Sequence, residues 1–309
     1  MDYIKIFSPA TVANVSCGFD TLGFAIANLG DEMTFVKTPT KRVDITEITG
    51  AELPYDINSN AAGVVVQKML KDAKADFGIQ ITMHKGFFPG SGLGSSAASS
   101  AGAAFGVNKL LGNKFSDLEL VKYAMLGEEV ACNSKVADNV AAAIYGGFVL
   151  VRSYNPLDIV KLPTPKKLRL VAIHPQIQIR TEDARKVLPD QINLKDAITQ
   201  WANVGGLIAG LYTKDYKLIG NSLEDIIVEP HRKKLIPHFN KVKNAALNAG
   251  ALGAGISGSG PTIFALCESD EIAENVSVAI EKSYRNVGMD FEIYSSKINR
   301  KGIKILHSY

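Results

Sequence analysis

The sequence predicts an α+β fold in two parts, on three observations. Segments rich in β-formers crowd the early part of the chain, helix and strand alternate in the second half, and a polar stretch with Pro156, Pro163 and Pro165 lies between. The division is set at residue 160, giving an N-terminal part of residues 1–160 and a C-terminal part of residues 161–309. With 309 residues, 46% of them hydrophobic and 21% charged, the chain has ample apolar area to bury.

Apolar alternation predicts strands at Tyr3–Phe7, Glu32–Val36, Val43–Ile48 and Ile79–Met83, forming a mostly antiparallel sheet. The spacing of Ala61, Val64, Val65, Lys68 and Met69 predicts a helix over Asn60–Ala73. A second helix opens near Ser95 and runs to about Leu111, where Gly112 stops it. Ser116 and Glu119 form a capping box for a third helix reaching about Val130. Asp138–Ala143 then leads through Gly146-Gly147 into a strand at Phe148–Arg152. After the prolines come a strand at Leu168–Ile173, a short capped helix at Thr181–Leu188 and a longer helix at Leu194–Tyr212. Phe239–Ala249 is helical and Thr262–Cys267 is an apolar strand. Ser269 caps a helix over Glu271–Val287, and Phe291–Ser295 and Ile303–Leu306 are late strands.

The most informative stretch is Pro89-Gly90-Ser91-Gly92-Leu93-Gly94-Ser95-Ser96-Ala97-Ala98-Ser99. Alternating glycines open backbone conformations closed to other residues and remove the Cβ that would hold a ligand away. A helix starting near Ser95 aims unpaired N–H groups and its positive dipole end at whatever the loop encloses, which is how phosphate is bound. A glycine-rich turn ahead of a small-residue core helix fits the same letters, and at this point both readings stand. A Walker loop is excluded, because no lysine lies between Lys85 and Lys109. A dinucleotide fingerprint is excluded too, because the third glycine comes one position early and the segment sits well inside the chain.

The formal charge of +3 is too small and too evenly spread to argue for nucleic acid or an anionic membrane as partner. No stretch approaches the roughly 20 apolar residues of a membrane span. The N-terminus reads as a strand rather than a signal peptide. Cys17, Cys132 and Cys267, odd in number and widely spaced, show no metal pattern and fit a reducing cytoplasm, and the five histidines show no ligand spacing.

A second glycine cluster, Gly253-Ala254-Gly255-Ile256-Ser257-Gly258-Ser259-Gly260-Pro261-Thr262, precedes an apolar strand. It is either a packing turn or a second wall against the phosphates or the acceptor. The N-terminal run Pro9-Ala10-Thr11-Val12-Ala13-Asn14-Val15-Ser16-Cys17-Gly18-Phe19-Asp20 is a third motif, and Ala137-Asp138-Asn139-Val140-Ala141 a fourth. In this order and at these separations the four resemble the GHMP kinase superfamily, and within it the homoserine kinase subgroup. The resemblance spans nearly the whole chain. It implies the two-domain GHMP kinase fold: an N-terminal domain like the second domain of ribosomal protein S5, with a left-handed crossover, and a ferredoxin-like C-terminal domain.

The resemblance also implies ATP and magnesium as cofactors, L-homoserine as acceptor, threonine biosynthesis as the setting and a homodimer as the assembly. Phosphoryl transfer needs positioning and charge neutralisation more than covalent chemistry. Backbone donors of Gly90–Ser96 would hold the phosphates, and Ser96 and Glu128 match the family's magnesium pair, while Glu129 reads as a solvated helix carboxylate. Asn60 falls where family members contact adenine, and equally where a helix N-cap belongs. Asp20 would take the substrate ammonium, Arg185 and Arg232 its carboxylate, and Asn14 and Asn139 its hydroxyl. Plain surface solvation is the alternative for both arginines.

In mevalonate kinase relatives an aspartate serves as base where this chain has Asn139, and an amide is no base at neutral pH. Asp138 is adjacent, but helix neighbours point roughly 100° apart. The expectation is direct attack by the substrate hydroxyl, its proton leaving late. Three positions depart from the subgroup pattern. Val12 and Ser16 stand where serine and glycine are common, and Val136 stands where many members have histidine.

Overall fold

The computed structural model describes residues 1–285 and 287–309. Its first sheet holds β1 (Tyr3–Ala13), β2 (Leu22–Thr38), β3 (Val43–Thr49), β4 (Gly78–His84), β5 (Phe148–Tyr154), β6 (Leu157–Leu162) and the C-terminal strand β11 (Lys304–Ser308). The spatial order is β11-β1-β2-β4-β3, with β5 and β6 extending from β2. All pairs are antiparallel except β3 with β4. Register follows the apolar alternation: Ile4 lies opposite Phe35, Ile6 opposite Met33, and Met33 in turn opposite Met83. These side chains turn to one face, where α1 (Ala61–Ala73), α2 (Ser95–Leu110), α3 (Asp117–Cys132) and α4 (Asp138–Tyr145) cover them.

The second sheet runs β10-β7-β9-β8, from β7 (Arg169–Pro175), β8 (Gly253–Ile256), β9 (Ile263–Cys267) and β10 (Phe291–Lys297). Its helices are α5 (Thr181–Lys186), α6 (Leu194–Thr213), α7 (Tyr216–Ser222), α8 (Glu229–Arg232), α9 (Phe239–Asn248) and α10 (Asp270–Tyr284). Both faces of β7 and β9 are buried. Val171, Ile173, Ile263 and Ala265 pack towards α9 and α10, while Leu170, Ala172, Phe264 and Leu266 pack towards the first sheet. There they meet Val12, Phe24 and Phe148 with Leu207, Leu211 and Ile219 from α6 and α7, so the two parts share a core.

The α+β prediction holds, and most elements lie where the pattern placed them. The capping box at Ser116 and Glu119 is formed, with both reciprocal hydrogen bonds made. Several expectations need correction. The strand expected at Glu32–Val36 begins at Leu22, because its first half is buried on both sides and shows no alternation. Residues 157–162, read as part of the polar stretch between the two parts, are β6, and the first four residues of the second glycine cluster are β8. α5 has no side-chain cap and ends at Lys186 instead of Leu188, and α10 ends at Tyr284 instead of Val287. α7 and α8 were not expected. β6 spans the 160/161 division, and β11 returns from residues 161–309 to pair with β1. No helix among the described residues is long and apolar enough to cross a membrane. All three cysteines are free.

Candidate active site

Gly90, Gly92 and Gly94 all sit at positive φ, at 75°, 82° and 71°, and Gly94 is the residue from which α2 departs. A Cβ on Gly92 would lie 2.6 Å from the Ser257 carbonyl oxygen and 2.7 Å from that of Gly260. The two glycine clusters are therefore packed backbone to backbone. Ser257 Oγ donates to the Gly92 carbonyl at 2.7 Å, and the Thr262 N–H donates to Ser91 at 3.2 Å. Between loop, α3, α4 and α5 opens a cleft of about 540 Å³. Pro89, Gly90, Gly92, Gly94, Ser95, Ser96 and Ser99 line it, whereas Ala97 and Ala98 are buried in the core behind. Ser91 and Leu93 are also buried, with the Leu93 carbonyl accepting from Thr11 N at 3.0 Å.

The loop's foundation was not foreseen. Lys85 is buried beneath it, paired with fully buried Asp31, and donates to the Ser95 carbonyl at 3.0 Å and to Ser99 Oγ at 2.9 Å. Burial pushes the Asp31 carboxyl up and Lys85 opposes it. One signal was present in the sequence. Asp31 shares the inward register of Met33 and Phe35, where an acid requires a partner.

Across the cleft Glu128, on α3, is 3% exposed, and its Oε1 has no hydrogen-bond partner. Burial pushes its carboxyl up to about 7 against a hydrogen bond from Ser96, with Asp138 raising it further. An orphaned carboxylate oxygen beside a hydroxyl fits one corner of a magnesium site, which takes one or two carboxylates, phosphate oxygens and water. No cluster of three or more His, Cys, Asp or Glu side chains forms a metal cage among the described residues. Such a magnesium site needs none.

Asp138 and Asn139 open α4, and both line the cleft. At a helix start, sequence neighbours can share a site despite their angular separation. Burial pushes the Asp138 carboxyl up to about 7, with Asp20 adding to it. Its Oδ1 accepts the Asn139 N–H at 2.8 Å, and Asn139 Oδ1 accepts from Thr11 Oγ1 at 2.7 Å. Val136, one of the departures, also faces the cleft.

After β1 the chain holds Asn14, Val15 and Ser16 in succession at positive φ, at 69°, 43° and 58°. Ser16 thus occupies a conformation that favours glycine. The strained bend turns Asn14 into the cleft. There its Nδ2 donates to the Gly258 carbonyl at 2.7 Å and its Oδ1 accepts from Asp20 N at 3.0 Å. Arg185 holds Asp20 in a two-pronged pair at 3.0 and 2.9 Å, and Arg232, buried, donates to the carbonyls of Ala184 and Gly258, each at 3.0 Å. Burial lowers the Arg232 guanidinium to about 10, with Arg185 adding to the effect. Neither arginine is a freely solvated surface residue.

Gln200 and Asp225 were also missed. Gln200 Nε2 donates to the Cys17 carbonyl and to Asp225, both at 3.0 Å. Asp225 in turn accepts three backbone N–H groups at the entry to α8. Asn60 is a helix cap. Its Oδ1 accepts from Ala62 and Gly63, its Nδ2 donates to Pro54, and it meets the cleft only as part of the wall.

Residues 60–147 match the GHMP kinases N terminal domain, and residues 207–286 match the GHMP kinases C terminal family. Over 99% of this chain and all of that protein, the sequence is 47% identical to a homoserine kinase of Chlorobium phaeovibrioides. It is 45% identical over the same shares to a homoserine kinase of Chlorobium phaeobacteroides. A crystal structure of homoserine kinase from Cytophaga hutchinsonii superposes with a TM-score of 0.95 at 51% identity, covering 99% of this chain and 98% of that one. Full-length identity at this level and a shared two-domain fold lead to one conclusion: the chain belongs to the homoserine kinase family of the GHMP kinases.

Proposed function

We propose that the protein transfers the γ-phosphoryl group of ATP to the side-chain hydroxyl of L-homoserine, forming O-phospho-L-homoserine for threonine biosynthesis. One observation carries this reading. In a chain of this family, a glycine loop at a helix N-terminus shares its cleft with Asp20, Arg185 and Arg232. That is complementary to a phosphate tail beside an amino acid. Within Gly90–Ser96, the N–H groups of Gly90, Gly92, Gly94, Ser95 and Ser96 hold the phosphates, those of Ser91 and Leu93 being bonded within the loop, and the adenine rests towards the wall of Leu53, Pro54 and Asn60. Ser96 and Glu128 would hold a magnesium ion, which would neutralise phosphate charge.

Asp20 receives the substrate ammonium, Arg185 and Arg232 its carboxylate, and Asn14 and Asn139 orient the hydroxyl. The hydroxyl oxygen attacks the γ-phosphorus, the bond to the β,γ-bridging oxygen breaks, and ADP leaves. The attacking proton departs late, to the transferred phosphate. A second route has one observation behind it: Asp138, with its carboxyl near 7 in the same cleft, is tuned as a general base would be.

The cytoplasm is the compartment of this proposal, supported by three unpaired cysteines. A homodimer is its assembly, with the outer face of α6 as the contact. That face carries Leu194, Ile198, Trp201, Gly205 and Tyr212 without a charge, and Trp201 is 58% exposed. The open parts of its large side chains come to roughly 500 Å². That is more than half of the about 800 Å² each partner gives to a standard interface.

The test is a coupled ADP-release assay with magnesium-ATP and a panel of alcohols. Release with L-homoserine alone supports the proposal. Release with another alcohol only, or nucleotide binding without turnover, overturns it.

A further inference from the structure

The two arginines of the acceptor site, Arg232 buried and Arg185 half-buried, are like charges brought together, and no carboxylate forms an ion pair with both. Arg185 has Asp20, but Arg232 donates only to backbone carbonyls and forms no ion pair among the described residues. The charges of Asp20 and Asp138 act on both, and one ring lies close to both guanidiniums. The guanidinium carbon of Arg185 lies 5.5 Å from the centroid of Phe19, and that of Arg232 lies 4.8 Å from the same centroid. Phe19 is half-buried and lies outside the cleft lining, so it reaches the substrate only through the arginines. We propose that Phe19 is the positioning residue that gathers Arg185 and Arg232 over one aromatic ring, and so sets selectivity for an acceptor bearing a carboxylate.

The physics is that of a cation over a π face. The negative quadrupole of the ring attracts both guanidiniums and offsets their mutual repulsion without introducing an anion. A carboxylate at the same place would do this more strongly, but it would also fill the forks meant for substrate. The adjacent residue shows the division of labour. Asp20 occupies the Arg185 fork in the free protein, and in the proposed reading it turns to the substrate ammonium when the amino acid enters. Arg185 then keeps the Phe19 ring against it, with the Asp138 carboxylate acting from further off. The Nε of Arg185, buried and without a hydrogen-bond partner, fits a guanidinium held by stacking rather than by its full donor set. Phe19 and Asp20 thus work as a pair, one residue for each substrate charge.

The inference rests on the assignment of Arg185 and Arg232 to the substrate carboxylate, and its test separates the two. Phe19→Leu keeps the apolar volume and removes the π face, and Phe19→Trp strengthens it. Steady-state constants are measured for L-homoserine and ATP, with 3-aminopropan-1-ol, the same amino alcohol lacking the carboxylate, as a competitor. Phe19→Leu is expected to raise KM for L-homoserine about tenfold. It should leave kcat, KM for ATP and the inhibition constant of 3-aminopropan-1-ol within twofold, and Phe19→Trp should stay within threefold of the parent throughout. An unchanged KM for homoserine overturns the proposal. So does equal weakening of the two amino alcohols, or a matching rise in KM for ATP, since each marks a packing role. Phe19→Met repeats the measurement where the leucine variant fails to fold. Arg232→Met tests the underlying assignment. If it weakens both amino alcohols alike, the carboxylate reading itself fails, whereas selective weakening with a silent Phe19→Leu removes Phe19 alone.

Discussion

Asp138 and Asn139 differ in side-chain chemistry but share one cleft, and their substitutions separate the two routes for the proton. If the hydroxyl attacks directly, Asp138→Asn should cost no more than about tenfold in kcat. Asn139→Ala, which removes the polar group anchored by Thr11, should cost on the order of a hundredfold. Near-native turnover in Asn139→Ala with a loss of about a thousandfold in Asp138→Asn would hand the role to Asp138 as base. Glu128 carries a second prediction, with a definite sign. Its carboxyl titrates near 7 in the folded chain against 4.5 for an unperturbed glutamate, because burial disfavours the charge. The folded state therefore holds a proton that the unfolded state releases between these values. Stability falls as pH rises across that window, and the full penalty applies above about 7. In urea unfolding without nucleotide, Glu128→Gln should be more stable than the parent at pH 8 by on the order of 3 kcal/mol, the gap closing towards pH 5. Activity should meanwhile fall at least about a hundredfold. A variant less stable than the parent at pH 8 would contradict the assignment.

The loop before α2 is fixed from two sides, and each can be removed separately. Gly92→Ala forces a Cβ against the carbonyls of Ser257 and Gly260 at a φ of 82°. A loss of about 2 kcal/mol in stability is expected, together with a raised KM for ATP, because the wall and the phosphate cradle move as one. A variant with both constants unchanged would show that the clusters yield independently. Beneath the loop, Lys85→Met leaves Asp31 as a buried, unpaired carboxylate and should cost about 3–5 kcal/mol. Adding Asp31→Leu should restore much of that loss in chemical denaturation. If the double variant is as weak as the single, the pair contributes more than mutual neutralisation.

At the scale of the molecule, the outer face of α6 exposes Leu194, Ile198, Trp201 and Tyr212. Trp201→Glu puts a charge in the middle of the proposed contact. Sedimentation at micromolar concentration should show dimers for the parent and monomers for the variant, with thermal stability of the isolated chain preserved. A parent that sediments as a monomer sinks the dimer. The same helix presents Gln200 on its inner side, where it joins the Cys17 carbonyl to Asp225 and the turn leading to Arg232. Both parts of the chain thus build the cleft. The strand β11, pairing with β1, closes the chain back onto its start.

Local rules determined a good share of this. The glycine loop, the helix that follows it, the capping box at Ser116 and the early strands were legible because each depends on residues a few positions apart. Ordered motifs also identified the family, and Asn14, Asp20, Ser96, Asp138 and Asn139 within them line the cleft. What the letters did not reveal depends on distant packing: the first half of β2, with no polar face to alternate against, and β8 inside a glycine cluster. The pair Lys85–Asp31 and the ring of Phe19 under two arginines join residues far apart in sequence. A buried charge or an aromatic ring acquires its meaning from the partner opposite it, and that partner is chosen by the way the two sheets close on a common core.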